Sequence, residues 1–125
     1  MNKEEAKKII EDNAATENES FLDFIHERWT FNEVAFWKYY NSIKLLAFEL
    51  RNEESLSRDL TYKIIKSNQY YLLLIGCHFD KNDLFEIKNL PDNYTQFSER
   101  LRIAIDAFLT GSPINDETEE LLDND

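Results

Sequence analysis

The chain has 125 residues, 42% of them apolar and 14% aromatic, which is enough to enclose one core and too apolar for a wholly disordered protein. Two glycines and two prolines are too few for the turns of a β-sandwich or barrel, so the composition points to long helices. Twenty-five acidic against fourteen basic residues leave a net charge of −11, which repels a nucleic-acid backbone and attracts a basic partner.

Residues 3–15 read as a charged helix whose apolar side is limited to Ala6, Ile9, Ile10, Ala14 and Ala15, an element expected to pack loosely or fray. Asn18 or Ser20 is placed to cap a second helix, with Phe21, Leu22, Ile25 and Trp29 at helical spacing. A break at residues 30–32 precedes a long third helix to about Arg51. Its Val34, Trp37, Tyr40, Leu45 and Phe48 cover more than one stripe, as on a helix with several neighbours. The polar run RNEESLS ends it, with Ser55 or Ser57 as the next cap.

Residues 60–79 contain the longest apolar run of the chain, Tyr70 to Ile75. Six residues cannot span a bilayer, which takes about 20. The run is therefore expected to be a core helix covered on all sides, chiefly by the third helix and the last one. A competing reading makes residues 70–79 and 84–88 a β-hairpin about the polar turn DKND, although a lone hairpin is marginal. Asp80 is expected to cap a short helix through Ile87, followed by a loop at Pro91. Asn93 or Thr95 opens the last helix. Phe97, Leu101, Ala104, Ile105 and Phe108 form its stripe, and Gly111 with Pro113 just beyond stops it.

The fold expected is all-α, a single-domain bundle of about five helices over residues 1–111 around a buried central helix. Residues 112–125 carry six acids and no base, and are expected to be a mobile tail that Leu121 and Leu122 could dock. The lone Cys77 cannot form an internal disulfide, and the N-terminal residues lack an apolar signal core. Both features suggest a cytoplasmic protein.

No complete constellation for catalysis is visible. There is no phosphate-binding loop and no dinucleotide fingerprint. Cys77 and His78 are adjacent, which on a helix turns their side chains about 100° apart and suits an inert buried thiol better than a nucleophile–base pair. Residues 78–83 lack the glycine and terminal glutamate of a calcium loop. Asp23 and His26 have the spacing of one di-iron motif, but no second Glu-x-x-His accompanies them. The expectation is a protein without cofactor, metal or enzymatic activity. A small metalloenzyme using His26 or His78 is the weakest reading.

Charge patterning is more informative. Glu19, Asp23 and Glu27 recur every four residues and would stack like charges on one face of the second helix, at a cost of a few tenths of a kcal/mol per pair. Such a ridge is either a solvated face neutralised by another helix or a docking surface for a cationic partner. Asp80, Asp83 and Glu86 form a second acidic group after the apolar run. These six residues are the candidate partner-binding site. Trp29, Trp37, Tyr39, Tyr40, Tyr70 and Tyr71 could anchor an interface, with at least four of them expected in the core.

The segment LLLIGCHFDKNDLFEIKNLPDNYTQFSERLRIAIDAFLTG has an apolar stretch, then HFD, an acidic turn and a last helix with SERL. Over about residues 70–111 it resembles small immunity proteins of bacterial polymorphic toxin systems, such as contact-dependent growth inhibition. The resemblance implies a cytoplasmic antitoxin that binds the toxin domain of its own strain, often a basic nuclease, and blocks its active site. It supplies no binding residue, so the acidic groups rest on charge patterning alone. The alternative is an acidic helical adaptor that buries its acidic helix against another partner.

Overall fold

The computed structural model describes residues 1–123. In order they form helices α1 (Lys3–Ala15), α2 (Phe21–Arg28), α3 (Glu33–Glu49), α4 (Arg58–Phe79), α5 (Tyr94–Thr110) and α6 (Asp116–Asp123). Among the described residues there is no strand, so the bundle is all-α and the hairpin reading of residues 70–88 is set aside. Among the described residues no helix is long and apolar enough to cross a membrane.

Side-chain caps fix the starts of four helices. Asn2, Ser20, Asn32 and Ser57 each accept a hydrogen bond from the backbone N–H three residues on. The α1–α2 connection is the tightest, with Thr16, Asn18 and Glu19 all at left-handed φ of 52°, 57° and 58°. Such backbone is costly for residues with a Cβ and persists only where surrounding bonds hold it. Asn13, buried, supplies two of them. Its Oδ1 accepts from Leu22 N–H at 3.0 Å, and its Nδ2 donates to the Ile9 carbonyl at 2.9 Å. The Asp12 carbonyl accepts from Glu17 N–H at 2.9 Å and from the Ser20 hydroxyl at 3.2 Å. The expected fraying of α1 is therefore not what the structure shows: its end is pinned to α2, and Ala6 and Ile10 are fully buried.

The middle of the bundle is α3. Ala35, Phe36, Tyr39, Tyr40, Ser42, Ile43, Leu46 and Ala47 are buried, and the helix packs against α1, α2 and α5. Phe21 of α2 sits against Phe31, Phe36, Tyr39 and Tyr71, with ring centroids 5.1, 5.4, 6.0 and 5.5 Å away. Tyr39 and Tyr71 carry their hydroxyls into the interior, where Ser67 meets the first at 2.6 Å and Ser98 the second at 2.8 Å. A buried hydroxyl needs such a partner.

The long apolar helix α4 is not the covered centre that the run at 70–75 suggests. It lies at the edge, packed mainly on α1, and buries Leu60, Ile64, Ser67, Tyr71 and Leu74. Leu72 and Leu73 are 50% and 60% exposed. The helical period turns one side of any continuous apolar run outward, and no neighbour covers that side.

Residues 80–93 form a loop, which corrects the short helix expected from Asp80 to Ile87. Asp80 Oδ1 accepts from Asn82 N–H, and Asp83 Oδ1 from Phe85 N–H, each at 2.9 Å. Such local bonds compete with helical ones. Further on, the backbone bonds leave the segment: Ile87 N–H reaches His78 Nδ1 at 2.9 Å, and Lys88 N–H reaches the Trp29 carbonyl at 2.8 Å. Asn89 exchanges two bonds with the backbone of Phe31.

The end of α5 follows expectation. Gly111 is left-handed at φ 73°, and a Cβ there would meet the Arg51 carbonyl oxygen at 2.8 Å, so two constraints select glycine. Beyond it, residues 116–123 are helical and docked through buried Leu122, while Leu121 is exposed. Over these residues the tail, expected to be mobile unless docked by Leu121 and Leu122, forms α6, and residues 124–125 lie outside the described residues.

Two substitutions test this packing. Phe21→Ala should destabilise the chain by about 3–5 kcal/mol through loss of ring packing and the cavity left behind. Asn13→Ala should cost about 1–3 kcal/mol by orphaning the buried Leu22 N–H. Urea denaturation measures both, and an Asn13→Ala midpoint equal to the unaltered chain's would contradict the pinning role.

Candidate functional site

The end of α2 and the 80–93 loop lie side by side. The Lys88–Trp29 backbone bond joins them, and the Trp29 and Phe85 rings meet edge to face at 5.3 Å. Trp29 reaches this position because it ends α2 in the left-handed conformation, at φ 52°. Its N–H bonds to the Ile25 carbonyl, and Thr30 N–H closes back on Phe24. Along α4, His26 Nδ1 meets the Tyr70 hydroxyl at 2.6 Å. Burial first, and then the charges of Cys77 and Glu27, push the Tyr70 hydroxyl above its usual range. The end of α2 and the loop that carries the second acidic group are therefore neighbours, although some fifty residues of sequence separate them.

The six expected acids do not play equal parts there. Glu19 precedes α2 and is not on it, because Ser20 is the cap. Its N–H donates to Asp23 Oδ2 at 2.9 Å, and its carboxylate lies 3.9 Å from Arg28. The three-membered row on one helix is thus corrected to Asp23 and Glu27, with Asp23 engaged in capping. Asp80 and Asp83 each lend one oxygen to a loop turn, as described above. Glu27 is exposed and 3.5 Å from His26, and Glu86 is exposed. Residues 19–28 and 80–88 hold Arg28, Lys81 and Lys88 beside the six carboxylates, which leaves three negative charges in excess over these two segments. Between Asp83 and Glu86 stands Leu84, 93% exposed. Nothing in its sequence surroundings distinguished it from a core leucine, since only the failure of a helix at 80–87 turns it outward.

Cys77 and His78 do not form a nucleophile–base pair. His78 Nδ1 accepts from Ile87 N–H, so the neutral ring carries its proton on Nε2. Desolvation raises the Cys77 thiol above its ordinary value, and a hydrogen bond and charge from Asp83, together with the charge of Asp80, raise it further. A thiol held protonated is a poor nucleophile. Among the described residues, no three His, Cys, Asp or Glu side chains are grouped to hold a metal ion.

A second polar centre lies under α6. Arg100, 6% exposed, places its guanidinium 5.0 Å from the Trp37 ring and 5.7 Å from Tyr40. Glu119 of α6 descends on it, with Oε2 3.3 Å from Arg100 Nη1. Its other oxygen accepts from Lys44 Nζ at 2.7 Å and from the Tyr40 hydroxyl at 2.6 Å. Burial would raise the Glu119 carboxyl, but the bonds from Lys44 and Tyr40 and the charges of Lys44 and Arg100 hold it below its ordinary range. Burial and the Glu119 carboxylate push the Tyr40 hydroxyl strongly upward. Arg100 falls at the buried spacing of Phe97, Leu101 and Ala104, so the period of α5 already placed this cation inward.

The chain matches no family model, no curated protein and no solved structure.

The state of Cys77 has a direct readout. Alkylation by iodoacetamide should accelerate about tenfold per pH unit without levelling below pH 9, as expected while the thiol stays mostly protonated. Asp83→Asn removes two of the influences that raise the thiol and should speed the reaction at pH 8. A rate that levels off near pH 7 would contradict the assignment.

Proposed function

We propose that this protein is an inhibitor of a basic protein partner, of the immunity-protein kind, which docks through the end of α2 and the 80–93 loop and neutralises a cognate toxin domain. The observation that carries the reading is Leu84, an almost fully exposed leucine on a loop tied down at both flanks and bordered by carboxylates. An apolar tip next to Phe85, whose ring packs on Trp29, offers an anchor that desolvates on binding. Glu27, Glu86, Asp80 and Asp83 would meet the cationic cleft in which such a toxin holds phosphates, speeding encounter and excluding wrong partners. The excess negative charge of the whole chain favours the same class of partner.

In the adaptor reading the acidic helix is buried against another partner, and the open side of α4 with Tyr62, Leu72 and Leu73 adds apolar area for such a contact. That side of α4 lacks the acidic border of the loop. The two readings separate in a binding experiment with the protein encoded beside this chain, measured by titration calorimetry at two salt concentrations. Leu84→Ala combined with Glu27→Lys and Glu86→Lys should weaken binding more than tenfold and flatten its salt dependence, with the helical signal unchanged. A triple variant that binds as tightly as the unaltered chain would sink the docking assignment, and strong loss from Leu73→Ser would favour the adaptor.

A further inference from the structure

We infer that Arg100, Lys44, Tyr40 and Trp37 form a carboxylate-reading cradle for a short acidic helix, filled in cis by Glu119 of α6 and open to such a helix in trans when α6 lifts away. The inference stands apart from the proposed docking face, since it concerns α3, α5 and α6.

The cradle is a built site. Two cations and a phenol, from two different helices, converge on both oxygens of one carboxylate. The guanidinium is fixed over two aromatic faces, which favour a cation and set the direction of its donors. Arg100 and Lys44 bring two positive charges to one point, and an intervening carboxylate satisfies both. Charge-assisted bonds of this kind are short and directional.

The segment that fills the cradle is lightly attached. Helix α6 has eight residues, and isolated helices shorter than about 12–15 residues are marginal in water. The acids of its first turn suit the helix dipole, but no base in its last turn does so at the other end. Leu122 is its buried apolar residue among those described, and clefts of about 290 and 210 Å³ adjoin that side chain. The connection to α5 contains left-handed Gly111 and Pro113, a natural pivot. Glu119 is thus a polar tie of α6 to both α3 and α5. Because the rest of the chain is strongly acidic, an acidic helix from elsewhere finds on this surface a place where cations are concentrated and an aromatic floor lies beneath them.

The test uses the full chain and a labelled peptide spanning residues 112–123. In the unaltered chain the cis helix competes at high effective concentration, so the peptide binds weakly. Glu119→Ala with Leu122→Ala should vacate the cradle and tighten peptide binding about tenfold or more. A peptide with glutamine in place of Glu119 should lose that gain, as should addition of Lys44→Ala to the double variant. Equal binding to the double variant and the unaltered chain, or equal binding of the glutamine peptide, overturns the inference. Should the double variant lose its helical signal, hydrogen exchange of the unaltered chain decides. Excess peptide should accelerate exchange of α6 amides and leave those of α3 and α5 unchanged, and no acceleration overturns the inference.

Discussion

The packing of aromatic rings around Phe21 determines where everything else lies. Phe21, Phe31, Phe36, Tyr39 and Tyr71 come from α2, the α2–α3 link, α3 and α4, and Phe97 of α5 closes on Phe36 with centroids 4.8 Å apart. Rings of this size keep backbones apart while filling the space between them, so α4 joins the core through the single stripe Leu60, Ile64, Ser67, Tyr71 and Leu74. Edge-to-face contacts dominate the cluster, the arrangement that the charge distribution of aromatic rings favours. Once α4 is held at that distance its outer side has no cover, and Leu72 and Leu73 face outward.

The same cluster positions the candidate docking face. Phe31 belongs to the core, and its backbone is the partner of Asn89, while Trp29 two residues earlier accepts from Lys88. The loop after α4 is thus fastened to the α2–α3 link, which the aromatic core holds in place. Buried Ile87 and the Ile87–His78 bond secure the loop from beneath. What remains free is its tip, Leu84 with its flanking carboxylates. A rigid mount for an exposed apolar residue lowers the ordering cost of binding.

Much of this organisation is legible in the sequence. Residues such as Ser20, Ser57 and Gly111 mark helix ends because their chemistry at those positions is local, and the stripe of α5 has the clean period that identifies one buried side. The readings that failed concern long-range partners. The run at 70–75 says that α4 is apolar, not which side finds a neighbour. The carboxylates at 80 and 83 look like helix starts until His78, Trp29 and Phe31 take up the backbone groups of the loop. The row Glu19, Asp23, Glu27 has helical spacing, but Glu19 lies one residue before the cap. The cradle beneath α6 joins Tyr40 and Lys44 to Arg100 and Glu119 across as many as 79 residues. Only the inward position of Arg100 on α5 hinted at it.

Taken together, the bundle is a frame that holds two charged surfaces of opposite kind: an acid-bordered apolar tip on one side, and a cationic, aromatic cradle occupied by α6 on another. The claim on which the functional account stands is that the first of these is the docking face. Hydrogen exchange of the chain alone and in complex with its basic partner tests it most directly. The account predicts protection concentrated in residues 26–30 and 80–88, with little change on the outer side of α4. Protection of α4 around Leu72 and Leu73, with residues 80–88 unchanged, would contradict it.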